Sequence, residues 1–156
     1  MKKKIFIFII LLIVFPAVAA YAIDIVALDK VNVLMSREKV LTILGQPAEK
    51  VGSTNGLTVE VYQVSNALPL ISSGCIYDSK ENLVGQSFVF QGKIEKEIIH
   101  RLKIRGYISL SIKDNISRLA GFDDDTGHPL VAVIERHENL TTITTFEKSF
   151  YESRVK

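Results

Sequence analysis

The sequence has a single cysteine, Cys75, no proline-rich or low-complexity tract, and no long run of one charge. Each absence removes a class of protein. One cysteine cannot close an intramolecular disulfide, so the fold must be held by its core alone. Cys75 sits between Gly74 and the β-prone pair Ile76-Tyr77, which reads as a small buried hydrophobe rather than a reactive thiol. No Gly-x-Ser-x-Gly elbow, no paired cysteines and no phosphate-cradling glycine loop occur. The three histidines, His100, His128 and His137, share no metal-ligand spacing, and no serine stands beside a plausible base. Zinc, nucleophilic and nucleotide chemistry each lack their parts. The expectation is a protein that is not an enzyme and uses no cofactor.

What is present begins at the first residues. Lys2, Lys3 and Lys4 form a positive region, and Ile5 through Phe15 is an unbroken apolar run. That run suits the apolar segment of an export signal and is shorter than the ~20 residues a spanning helix needs. Pro16 breaks it, and Ala20-Tyr21-Ala22 satisfies the small-x-small rule for cleavage after Ala22. Residues 1–22 are therefore expected to be a cleaved signal peptide; the rival reading is an uncleaved anchor from Ile5 through Ala22. Ile23-Asp24-Ile25 follows the cleavage point, with no cysteine to acylate, so a lipoprotein is not expected. The expected location is the periplasm, with peripheral membrane contact left open. Loss of the three lysines turns the formal charge of +2 slightly negative, which argues against a nucleic-acid partner.

Residues 23–156 are expected to form one small α+β domain, with short helices packed on an antiparallel β-sheet. Ile23 to Asn32 is an apolar lead-in without a clear pattern. Ser36 looks like a helix N-cap, Val40, Leu41 and Leu44 give the apolar spacing, and Gly45 and Pro47 stop the helix. Gly52 to Gly56 is turn-rich. Alternation over Leu57–Gln63, and the β-prone runs Leu70–Tyr77 and Leu83–Phe90, predict three strands in a meander. Ile94, Ile98 and Leu102 then mark a second helix, capped by Gly106. Tyr107 to Ile112 alternates as a strand, whereas Ile112, Ile116 and Leu119 are also spaced as a short helix. Asp123 to Gly127 reads as a turn, Leu130 to Glu135 as a strand, and Thr141 to Phe150 as a last strand. The order helix-then-strands occurs twice, over 30–91 and 92–156. A tandem pair of units stands as an alternative to one continuous arrangement.

One cluster carries metal-ligand residue types. Asp123, Asp124 and His128 lie within Asp-Asp-Asp-Thr-Gly-His, and hard cations want several oxygens. The segment lacks the alternating acidic spacing and distal Glu of a calcium loop, and Asp-Thr-Gly between β-prone runs is a hairpin signal. The turn is the favoured reading, with these three residues as the candidate metal ligands.

The stretch Ser36-Arg37-Glu38-Lys39-Val40-Leu41-Thr42-Ile43-Leu44-Gly45-Gln46-Pro47 resembles the helix signature of the SmpA/OmlA family, the BamE-like small outer-membrane proteins. That signature runs, loosely, Gly-x-Ser/Thr-x-x-x-Val-x-x-x-Leu-Gly-x-Pro and is followed by an aromatic strand. Here Glu60-Val61-Tyr62-Gln63-Val64 stands in the strand position, and Tyr77 to Phe90 resembles the strands after it. The chain departs in lacking the acylated cysteine, in having Leu34 or Met35 for the leading Gly, and in extending over 92–156. The resemblance implies a non-enzymatic module of the bacterial cell envelope with a protein partner, such as outer-membrane assembly machinery. It also implies a fold shared with the β-lactamase inhibitor proteins, which carry tandem copies. Binding is expected through a sheet face or edge, with Tyr62, Phe88 and Phe90 serving as core or as anchors. The alternatives are an inhibitor of a secreted hydrolase acting through the Asp123–Asp125 turn, and a metal-binding protein using the Asp123–His128 loop.

Overall fold

The computed structural model describes residues 23–52, 55–65 and 68–154. The expected signal peptide, residues 1–22, and the turn residues Ser53 and Thr54 lie outside the described residues. After a single turn of helix, α1 (Ile25–Leu28), capped by the Asp24 carboxylate, comes α2 (Arg37–Leu44). The Ser36 hydroxyl accepts from the Lys39 amide at 3.3 Å, satisfying one of the orphan donors of the first turn. Gly45 ends the helix at φ +79°, a conformation that a side chain would strain.

Four strands follow: β1 (Glu49–Gly52), β2 (Thr58–Gln63), β3 (Leu70–Tyr77) and β4 (Leu83–Gln91). Helix α3 (Glu95–Ile104) precedes β5 (Ile108–Lys113), β6 (Ile116–Phe122), β7 (Pro129–His137) and β8 (Leu140–Glu147), and α4 (Lys148–Arg154) closes the described chain. The strands form one antiparallel sheet in the order β1-β2-β3-β4-β8-β7-β6-β5. The fold is thus α+β and mostly sheet. Each half is a meander, and β4 joins the halves by pairing with β8 rather than with its successor β5.

Alternation sends side chains to two faces. On one face α1 and α2 lay Leu28, Val40 and Leu44 over Tyr62, Cys75, Tyr77 and Leu83. On the same face Leu102 of α3 covers Leu119, Ala132, Ile134 and Ile143, and Phe88 and Phe90 touch both clusters. The other face holds Val59, Val61, Ile76, Val131, Val133 and Phe146 beneath Phe150 and Tyr151 of α4. Burial of each large aliphatic side chain contributes ~1.5–3 kcal/mol. Of the aromatics expected as core or anchor, Tyr62 is fully buried, and Phe88 and Phe90 are partly buried.

Three features differ from the sequence pattern. Ile112, Ile116 and Leu119 do not share a helix: Asp114-Asn115 turns the chain, and Ile116 and Leu119 pack on opposite faces of the sheet. Asn115 Nδ2 anchors the turn by donating to the Arg136 carbonyl at 2.8 Å. The last strand stops at Glu147, not at Phe150. The Glu147 carboxylate accepts from the amides of Ser149 (3.0 Å) and Phe150 (2.7 Å), which turns the chain into α4 and swings the aromatics onto the second face. Lastly, β1 is a strand although each of Glu49-Lys50-Val51-Gly52 is exposed, because it borrows its hydrogen bonds from β2.

Candidate functional site

Two surfaces stand out, and they meet. The first is the outer edge of β5, where all six residues are exposed. Ile108, Leu110 and Ile112 remain 66%, 53% and 69% accessible. A bulge between Ser109 and Ser111 leaves Leu110 without a register partner on β6. The extra residue also throws Ile108, opposite Ala120, and Ile112, opposite Ser117, onto different faces of the sheet. Ile104 at the end of α3 and Phe122 at the end of β6 are exposed too. A strand edge presents unpaired amide and carbonyl groups, and apolar side chains beside them make it a template for another chain.

The second surface is a cleft of about 240 Å³ on the face covered by α1, α2 and α3. Its floor is Gln86 and Phe88 of β4 with their register partners Thr145 and Ile143 of β8. The Leu28–Val33 connection forms one wall; Leu102 and Tyr107 form the other. Tyr107 lies flat on Gly121, where an added Cβ would come 2.5 Å from the ring. Phe122 lines the mouth, so the cleft and the apolar edge share a border at Tyr107 and Phe122.

Carboxylates dominate the rim. Asp29, Asp123, Asp124 and Asp125 face a single cation, Arg105, and Asp124 engages it in an ion pair. The hydrogen bond to Asp124 leads the effects that raise the pKa of Arg105. Burial raises that of the Tyr107 phenol, with Asp124 and Asp123 adding to the effect against Arg105.

The structure places the expected metal candidates in a turn between β6 and β7. Asp123 Oδ1 accepts from the amides of Asp125 (3.1 Å) and Thr126 (2.8 Å) and from the Thr126 hydroxyl (2.8 Å). Asp124 points to Arg105, and His128 meets the turn through its backbone, its carbonyl accepting from the Asp123 amide at 2.8 Å. Among the described residues no group of three His, Cys, Asp or Glu side chains is placed to hold a metal ion. His100 is on α3, His128 precedes β7 and His137 is its last residue. Asp123 and Asp124 belong instead to the rim of the cleft. Asp29, Gln86 and the Arg105-Gly106-Tyr107 connection are not singled out by the sequence, since they come from three separate segments.

A third cluster is buried beneath α2. Glu60 is completely inaccessible and takes the Arg37 guanidinium at 2.6 Å and the Tyr62 hydroxyl at 3.3 Å. Burial pushes the Cys75 thiol up to about 12 and raises both Tyr62 and Tyr77. A thiol held protonated is a poor nucleophile, and the Arg37–Glu60 pair fastens α2 to the sheet.

The fold and the two surfaces define a sheet-rich α+β protein with an apolar strand edge at β5 and a small acidic-rimmed cleft. Comparison with protein-family models, with curated proteins and with solved structures returns no match.

Proposed function

We propose that this protein is a non-enzymatic, protein-binding module of the bacterial cell envelope, exported by residues 1–22 and working in the periplasm. The observation that carries the binding role is the β5 edge: three large apolar side chains, more than half exposed, beside unpaired backbone groups. Such an edge gains affinity from main-chain hydrogen bonds and specificity from alternate side chains when a partner adds a strand. The basic-apolar-small order of the first residues supports export. The resemblance of Ser36–Pro47 to the SmpA/OmlA signature supports an accessory role in an outer-membrane or envelope complex. Two tandem units are part of the same reading: α2 with β1–β4 and α3 with β5–β8 follow one order of elements, and β4 and β8 meet at the centre.

The test is photo-crosslinking in cells, with the reactive residue at Ser109 or Ser111 of β5 and, as a control, at Lys50 of β1. The expected result is one dominant envelope-protein adduct from β5 and none from Lys50. Equal labelling from both edges, or none from either, rejects the edge as the binding surface. Mass spectrometry of the exported chain checks the signal, and the expected new N-terminus is Ile23.

A further inference from the structure

The cleft beside the β5 edge has a size, a lining and a charge that together select an occupant. At about 240 Å³ it falls below the roughly 300–1,000 Å³ usual for small-molecule sites and suits one large side chain. Phe88, Leu102, Ile143 and Tyr107 offer that side chain apolar and aromatic surface. At the floor, the Gln86 side-chain nitrogen is buried and has no hydrogen-bond partner. A buried donor without an acceptor is costly, and a ligand that brings the acceptor recovers that cost. At the mouth four aspartates stand against one arginine, which Asp124 already engages.

We propose that the cleft receives a tyrosine side chain of a partner polypeptide, flanked by lysine or arginine. The ring fills the apolar walls and the Gln86 amide turns outward to donate to the phenol oxygen, which suits a residue with an apolar body and a polar tip. The flanking cations meet Asp29, Asp123 and Asp125, whose charge also rejects acidic segments. This rests on the protein-binding reading above, and the shared border at Tyr107 and Phe122 lets one partner span edge and cleft.

The experiment is a titration of the isotope-labelled full chain, followed by amide NMR shifts, with the capped tripeptide Lys-Tyr-Lys. Lys-Phe-Lys, Glu-Tyr-Glu and free tyramine serve as comparisons. Lys-Tyr-Lys is expected to shift Gln86, Phe88, Tyr107 and Thr145, and to bind more weakly as salt is raised. Lys-Phe-Lys, which leaves the Gln86 donor unpaired, is expected to bind about tenfold more weakly. Glu-Tyr-Glu should lose binding by a similar factor. Gln86→Met should erase the preference for tyrosine over phenylalanine while leaving the charge preference. Equal binding of the three peptides, shifts elsewhere on the sheet, or tyramine binding at least as tightly as the tripeptide overturns the proposal. Any of these results alongside persistent β5 crosslinks removes the cleft assignment alone. Cleft binding without β5 crosslinks removes the edge and keeps the cleft.

Discussion

The two edges of the sheet are built to opposite ends. β1 is four residues long, carries Glu49 and Lys50 and ends on Gly52, so little of it invites a neighbouring chain. β5 is six residues long, and its only charge is Lys113 at the end. Proteins guard sheet edges with short strands, charge and bulges; β1 uses the first two, and β5 has only the bulge at Leu110. The interior differs as well. Beneath the β1 end, Arg37 reaches from α2 to the buried Glu60, whereas the β5 end is held by Tyr107 lying on Gly121. One end is secured by a charge pair and edged by a short, charged strand. The other is secured by a ring and left open.

The largest effect should come from the secured end. Arg37→Ala strands a fully buried carboxylate and is expected to cost about 3–5 kcal/mol, read by urea denaturation. Replacing both partners with methionine should recover most of that loss. If the single variant costs nothing, the two ends do not differ in how they are fastened.

A smaller loss is expected at the open end. Gly121→Ala drives a methyl into the Tyr107 ring and should cost about 1–3 kcal/mol, with Tyr107 resonances displaced. An unchanged Tyr107 spectrum would show that the ring does not organise that end.

Glu147 distinguishes the second face from both edges. Burial opposes its ionisation, but the donated amides of Ser149 and Phe150 win and lower its pKa below the ordinary 4.5. A depressed folded pKa contributes stability that is complete above the unfolded value and is lost as pH falls through the folded value. Glu147→Gln is expected to cost ~1 kcal/mol at neutral pH and to flatten this part of the acid dependence. Denaturation curves recorded from pH 7 down to the acid limit check both.

The smallest stability effect should accompany the largest effect on binding. Ile108→Lys with Leu110→Lys makes β5 resemble β1, and exposed positions of this kind change stability by about 0.5 kcal/mol or less. Crosslinking from Ser111 should vanish while the melting curve stays in place. A large loss of stability would mean that these side chains serve the fold rather than a partner.

Much of the local structure is legible in the sequence, for a local reason. The helix from Arg37 to Leu44 is announced by its Ser36 cap and Gly45 stop, and the β2, β3, β4 and β7 runs by their apolar or alternating composition. Misreadings occur where a distant contact outweighs the local signal. Thr141 to Phe146 is β-branched and aromatic and Phe150 extends the signal past Glu147-Lys148-Ser149, yet Glu147 caps a helix there and Phe150 and Tyr151 pack across the sheet. Glu49 to Gly52 lacks any strand signature and becomes a strand by pairing with β2. Of the candidate site, the sequence singles out Asp123, Asp124 and His128 by composition, as a turn first and as metal ligands second, while the structure sets the two aspartates beside Arg105 at a cleft.

By itself the sequence determined the α+β class, the β2–β4 meander, the Ser36 cap and Gly45 stop of α2, and a core without disulfides. These follow from side-chain period, backbone freedom at glycine and the count of cysteines, all properties of neighbouring residues. Only the tertiary structure decided that β4 pairs with β8, which places β1 and β5 at the two edges. It also decided that Thr141 would accept from the Ile94 amide at 3.1 Å, linking the start of α3 to a strand 47 residues away. The open edge and the acidic cleft are products of that pairing. Strand order is set by which apolar faces find each other once the chain has collapsed, and no window of adjacent residues encodes it.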